Sequence, residues 1–324
     1  MPSKKPNTFI IGAPKCGTSA MAVYLNQHPN VFLCNPKEPF FWSRDYPLLR
    51  KLHNVTDEDR YLQLFAAAQD KHSVVCEGST NYLASKVAVE RIVEFNADAK
   101  FLVMLRNPVD VVHAFHSECL FAYIEDEPDF ENAWNMQDDR LSGKSLPMGC
   151  AAPQFLQYRD VASYAGQLER FFDLVPAANR KVIIFDDFAA NNAQFFQDTL
   201  EFLDLPAFKK ESFERVNASH DHKYPLFSKL VLDPPTALKP VVETLRFTAR
   251  QFKGGWVDQA KHWFRKPTKR TPLTSDFRAE LCEFFAEDVL KTSEILGRDL
   301  CHWVSVSPAN ETFESPSRKP VAVT

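Results

Sequence analysis

Thr8-Phe9-Ile10-Ile11-Gly12-Ala13-Pro14-Lys15-Cys16-Gly17-Thr18-Ser19 opens the chain's first β-loop-α unit. The apolar run Thr8–Ile11 reads as a buried strand. Thr18–Gln27 follows as a helix, with Met21, Val23, Tyr24 and Leu25 in a helical setting. Glycine is scarce, nine in 324 residues, so two of them bracketing Ala13–Cys16 mark a specialised turn. A strand, a Gly-bounded loop and a helix N-terminus together form an anion cradle: backbone N–H groups point inward and the helix dipole adds positive potential. Lys15 contributes a full charge, and Thr18 and Ser19 contribute hydroxyls. The bland reading is an ordinary strand–turn–helix connection. The order of strand, glycines, lysine and hydroxyls favours phosphate binding. The nucleotide-triphosphate loop, G-x-x-x-x-G-K-[ST], is a different pattern, because here the lysine precedes the second glycine.

Three further apolar runs read as strands: Ser73–Cys76, Phe101–Leu105 and Lys181–Phe185. Helical patterns cover Ala84–Phe95, Val109–Phe121, Tyr158–Phe172 and Ser275–Leu296. Strands alternating with helices predict an α/β fold, a parallel sheet flanked by helices on both faces. Residues 1–306 form one domain in this reading. Between Tyr123 and Pro153 the periodicity lapses and Glu125, Asp126, Glu127, Asp129 and Glu131 cluster. That stretch (123–153) reads as a solvated insertion or, more sharply, as a lid or substrate-side wall. Asp233–Pro240 is a proline-rich turn or linker, Lys261–Arg270 is basic, and 307–324 is a polar C-terminal tail.

Apolar residues are 45% and charged residues 25% of the chain, which excludes disorder and fibrous repeats for most of it. With 38 basic against 42 acidic residues the formal net charge is −4, so no global field favours nucleic acid or an anionic membrane. Seven Cys, with no C-x-x-C pair, fit a reducing compartment better than a disulfide framework. No signal peptide and no membrane-spanning stretch are read, so a cytoplasmic location is expected. The chain does not state its oligomeric state.

The loop Gly12-x-x-Lys15-x-Gly17-Thr18-Ser19, followed by a helix and His28-Pro29, resembles the 5′-phosphosulfate loop of sulfotransferases that use 3′-phosphoadenosine 5′-phosphosulfate (PAPS). The bacterial and heparan-type branch is the most similar. Pro36-Lys37-Glu38-Pro39-Phe40-Phe41-Trp42 resembles the family's K-E-P-H-F-F segment, and Glu77-Gly78-Ser79-Thr80-Asn81-Tyr82 its E-[KG]-[ST]-P-x-Y segment. Leu105-Arg106-Asn107-Pro108 resembles the strand-to-helix turn that holds the 3′-phosphate. Leu273-Thr274 onward, through Gly297-Arg298-Asp299 and Trp303, looks like the C-terminal helix.

The resemblance implies a P-loop-like fold and a donor site made of Lys15, Cys16, Gly17, Thr18, Ser19 and Arg106. PAPS would be the co-substrate, with no metal. Lys15 would stabilise the leaving oxygen. Glu38 matches the family's base and ranks first as proton acceptor. Glu77 ranks second, and reads equally well as a structural partner at a strand end. The acceptor would be a carbohydrate or small molecule. Three departures stand out: Ala114 replaces a usual 3′-phosphate serine, Phe40 replaces a histidine, and Gly78 replaces a common lysine. His113, His116 or Ser117 are candidates to compensate for the first. Asp186-Asp187 reads as an acidic helix start rather than a metal-holding strand end. His220-Asp221-His222 lacks a third ligand in register and reads as a polar loop. Cys16 reads as a small loop filler. The rival readings are an NTP-dependent kinase-like enzyme, and a degenerate nucleotide-binding or scaffold protein.

Overall fold

In a computed structural model, the described residues are 4–49, 54–148, 150, 152–210, 212–213 and 270–305, with the backbone of 220–222 and 265–267. Five strands form one parallel sheet: β1 (Thr8–Gly12), β2 (Val31–Leu33), β3 (Val74–Gly78), β4 (Lys100–Leu105) and β5 (Arg180–Ile184), in the order β2-β3-β1-β4-β5. Every residue of β1 and β3 is buried, as are all but the first of β4. Continuous burial of this kind requires helices on both faces. Those helices are α1 (Thr18–Leu25), α2 (Glu58–Gln63), α3 (Ala88–Phe95), α4 (Pro108–Phe121), α5 (Phe130–Asn135), α6 (Gln137–Leu141), α7 (Tyr158–Ala162), α8 (Ala165–Leu174), α9 (Phe185–Ala190), α10 (Asn192–Phe202) and α11 (Ser275–Leu296). A short antiparallel ribbon pairs β6 (His220–His222) with β7 (Arg265–Pro267).

All four expected strands and their helices are present, with small boundary shifts. The edge strand β2 was not expected, because three residues are too short for a periodic signal. Tyr158–Phe172, read as one helix, is two. The break at Ser163–Tyr164 is held by Asp288 of α11, whose carboxylate accepts the N–H of Tyr164 at 2.7 Å and of Ala165 at 3.1 Å. A carboxylate at that place caps the start of α8.

The insertion also departs from a solvated loop. It contains α5 and α6, and Glu125 is not one of a bank of surface carboxylates. Its side chain and that of Arg140 are 0% exposed and form two 2.6 Å hydrogen bonds. The Tyr158 hydroxyl donates to Glu125 at 2.7 Å, and the N–H groups of Asp126 and Glu127 donate to it at 2.9 Å. Burial raises the Glu125 pKa, but the bonds from Arg140 and Tyr158 outweigh it and hold the carboxyl below its ordinary value. Asp233–Pro240, most of Lys261–Arg270 and the tail lie outside the described residues.

β1 leads through α1 toward β2 on one side, whereas β4 leads toward β5 on the other. The carboxyl ends of β1 and β4 are therefore the switch point where an open α/β sheet binds ligands.

Candidate active site

The loop after β1 curls under two left-handed residues, Lys15 (φ 61°) and Gly17 (φ 90°). Alternation of this kind turns successive N–H groups inward as an anion-binding nest. Gly17 is the N-cap of α1, with no side-chain cap. The first N–H groups of α1 therefore keep their free donors and the positive end of the dipole. A side chain at Gly17 would be strained by its φ and would meet the Phe185 ring at 3.0 Å. The loop is tied to the neighbouring strand by the Ala13 N–H, which donates to the Met104 carbonyl at 2.7 Å. Thr18 is buried and Ser19 half-buried.

Cys16 packs inward, its Sγ 3.3 Å from the Pro14 carbonyl and 3.9 Å from the Tyr164 hydroxyl. Burial pushes its thiol up to about 12, so the side chain is an inert filler. Lys15 reaches out of the loop to Glu118 of α4, Nζ to Oε2 at 2.9 Å.

Arg106 stands at the end of β4. Its guanidinium lies over the Phe185 ring, 4.9 Å from the centroid, and pairs with Asp110 at 3.3 Å. Its carbonyl accepts the Tyr164 hydroxyl at 3.0 Å, so the residue that shields Cys16 also anchors Arg106. Arg278 of α11 shares Asp110 at 3.3 Å. Arg270 lies near as well: burial, then the like charge of Arg106, hold its guanidinium below the ordinary arginine value. Two arginines thus share one carboxylate at the first turn of α4, with Arg270 near enough to feel the charge of Arg106.

The candidates to replace the hydroxyl missing at Ala114 are engaged elsewhere. Ala114 is buried. The His116 ring meets the Glu127 carbonyl at 2.8 Å, and the Ser117 hydroxyl bonds the His113 carbonyl at 3.3 Å. The His113 ring stacks on Phe130 at 5.7 Å. Burial, then the charges of Arg270 and His116, lower its pKa to about 4, so it is neutral at pH 7.

Glu38 is half-buried beside the loop. Lys37 Nζ lies 2.9 Å from its Oε1, and the Thr80 hydroxyl donates to the same oxygen at 3.4 Å. Thr80 also lies against the loop after β1, because a Cβ at Gly12 would stand 3.2 Å from the Thr80 carbonyl. The Lys37 stem occupies the space over Gly78, where an added Cβ would meet its Cε at 3.2 Å.

Glu77 is 0% exposed at the end of β3. The Tyr61 hydroxyl donates to it at 2.6 Å and the Ser79 hydroxyl at 2.7 Å. Ser79 in turn accepts the Phe40 N–H at 3.2 Å, and the Tyr82 hydroxyl accepts the Trp42 N–H at 3.2 Å. Trp42 Nε1–H closes the network on the Tyr61 hydroxyl at 2.9 Å. Burial pushes the Glu77 carboxyl up to about 7, against the lowering effect of its hydroxyl partners. Glu77 therefore braces, through Ser79 and Phe40, the turn that carries Glu38. Phe40 packs with Leu49 and Ala152, where a histidine could not be buried without a polar partner.

Asp186 and Asp187 lie in the first turn of α9 and bind the C-terminal segment: Trp303 Nε1–H donates to Asp186 at 2.8 Å, and Arg298 forks onto Asp187. Among the described residues no group of three His, Cys, Asp or Glu is arranged to hold a metal ion, and no helix is long and apolar enough to cross a membrane. Glu118, Thr80, Phe185 and Arg270 were not singled out in the sequence. Each is an ordinary residue in its local pattern, and only Arg270, inside the basic stretch Lys261–Arg270, carried a signal.

A sulfotransferase domain model matches residues 5–224. The sulfotransferase from Alicyclobacillus acidocaldarius aligns over 93% of this chain and 99% of its own, with a TM-score of 0.66 and 26% identity. The human bifunctional heparan sulfate N-deacetylase/N-sulfotransferase 1 is 30% identical over 112 residues, and rat carbohydrate sulfotransferase 15 is 28% identical over 147. Each match covers 34% of this chain, but only 12% and 26% of those relatives' own lengths.

Proposed function

The chain belongs to the sulfotransferase family, and we propose that it moves a sulfuryl group from PAPS to a hydroxyl of a carbohydrate or small-molecule acceptor, in line and without a metal. One observation carries the choice of donor. Lys15 and Arg106 pair with Glu118 and Asp110 of the same helix, eight residues apart. At 1.5 Å per residue the two centres are separated by about 12 Å along α4. Two cationic centres spaced like this suit a donor that is anionic at both ends. The uncapped N-terminus of α1 supports the same reading, since it leaves N–H donors for a phosphate.

In this reading the N–H groups of Cys16, Gly17, Thr18 and Ser19 hold the 5′-phosphate. Arg106, over the Phe185 ring and joined by Arg270, holds the 3′-phosphate; a planar guanidinium suits bidentate phosphate bonding. Glu38 takes the proton of the acceptor hydroxyl as its oxygen attacks sulfur. The bond from sulfur to the bridging oxygen breaks, and Lys15 neutralises the charge that develops there. Glu77 acts through the backbone of Phe40 as a positioning residue. The heparan sulfate and carbohydrate relatives support a sugar acceptor. The seven unpaired thiols fit a reducing, cytoplasmic setting.

Turnover of labelled PAPS against a panel of sugar, alcohol, phenol and amine acceptors tests the proposal. Lys15→Ala should lower kcat by ~10² or more, as loss of one transition-state donor does, while adenosine 3′,5′-bisphosphate still binds. Activity should persist in excess chelator. A strict magnesium requirement would favour a kinase-like enzyme, and nucleotide binding with no turnover on any acceptor would favour a scaffold.

A further inference from the structure

The charge balance at the two ends of α4 is unequal. Asp110 is shared by Arg106 and Arg278, so that end keeps an excess of positive charge. At the other end Lys15 and Glu118 are matched one to one at 2.9 Å. Residues 110, 114 and 118 lie on one face of the helix at i, i+4 spacing. Ala114 between them offers only a methyl group. An anion with two charged ends therefore meets net positive charge beside Arg106, and a lysine already neutralised beside the loop. Whatever anionic group takes Lys15 must displace the Glu118 carboxylate or accept its repulsion.

We propose that Glu118 is a positioning residue: it holds the Lys15 ammonium at the mouth of the loop and competes with the donor's 5′ anionic group for it, and so sets donor affinity. The inference rests on the reading of Lys15 as the 5′-side cation. Glu118 is 51% exposed, and an exposed pair contributes little to folding, so the variant Glu118→Gln should remain folded. The amide keeps the shape and loses the charge. With the carboxylate gone, one repulsion of a few ångströms' range disappears and Lys15 is released.

The test is calorimetric titration of the full chain with adenosine 3′,5′-bisphosphate and, separately, adenosine 3′-monophosphate. Glu118→Gln should bind the bisphosphate about tenfold tighter than the wild type, the size expected for removing one like charge near the protein surface. The 3′-monophosphate has no 5′ anionic group, and its affinity should be the same for both proteins. In turnover assays the gain should lie in the donor KM. Equal bisphosphate affinity in the two proteins overturns the inference while the loop reading stands. So does an equal gain for both ligands, which would be a general charge effect, and so does a loss. If neither protein binds the bisphosphate, the reading of the loop fails and takes the inference with it.

Discussion

The proposed donor side and the proposed acceptor side of this molecule are built in different ways. The donor side consists of two contiguous turns, Gly12–Ser19 after β1 and Arg106–Asp110 after β4. In the proposed reading, backbone N–H groups, one helix N-terminus and the cationic side chains of Lys15 and Arg106 do the binding. The acceptor side is assembled from pieces distant in sequence. Glu38 sits on an irregular loop, held by Lys37 and Thr80 and braced from below by buried Glu77. Phe40 packs that loop onto Ala152 at the far end of the insertion, and the Glu125–Arg140 pair holds the insertion together. A site made of backbone on a parallel sheet is preorganised by the sheet. A site made of loops depends on long-range packing and buried polar networks.

Four changes test that contrast. Glu38→Gln keeps shape and removes the base; kcat should fall roughly 10²–10⁴-fold, the usual contribution of a positioned base, with donor binding unchanged. If kcat holds, the acceptor side does not supply proton removal through Glu38. Arg140→Met leaves Glu125 buried without its cation and should destabilise the fold by ~3–5 kcal/mol, read as a lower urea midpoint. Adding Glu125→Leu should recover much of that loss. A wild-type midpoint in the single variant would mean that the insertion is only loosely docked. Arg106→Ala should raise the donor KM by ~10–100-fold, since hydrogen bonds to charged groups contribute ~1.5–3 kcal/mol. Its kcat should change little, because the 3′ end is remote from the reacting sulfur.

Glu77→Gln should have the smallest effect on kcat and a clear effect on pH dependence. The folded-state pKa of Glu77 is raised to about 7, so the native protein binds this proton more tightly than the unfolded chain does. Its contribution is fully present below the ordinary carboxylate value and is lost as pH rises through about 7. Wild-type stability should therefore fall across that window, and the fall should be shallower in Glu77→Gln. Denaturation midpoints from pH 4 to 8 check this. Parallel profiles would show that Glu77 is not held as described, and a kcat loss larger than that of Glu38→Gln would transfer the base to Glu77.

The strand–loop–helix turn on which the proposed donor site rests was legible because its parts are consecutive: strand, Gly12, Lys15, Gly17, Thr18 and Ser19 fall within twelve residues. Arg106 was legible as the residue after an apolar strand and before Asn-Pro. Glu118 was not, since a glutamate late in a helix has no local mark, and its meaning comes from Lys15 more than a hundred residues earlier. Thr80 and Phe185 were hidden for the same reason. The acidic stretch misled in one respect. Composition suggested a solvated surface, but Glu125 is distinguished from its neighbours only by Arg140 and Tyr158, which fold back onto it.

The sequence by itself determined the parallel α/β frame and the Gly-bounded turn between its first strand and helix, because apolar runs, glycines and helix starts act through neighbours in the chain. Only the tertiary structure decided which carboxylate faces which cation, and how Glu77 differs from Glu38. Both are acidic residues near strand ends, yet one is sealed among Tyr61, Tyr82 and Ser79 and the other borders the loop. Burial and the charges across a gap set the protonation and the partner of an ionisable group. Those surroundings come from segments that the linear sequence keeps far apart.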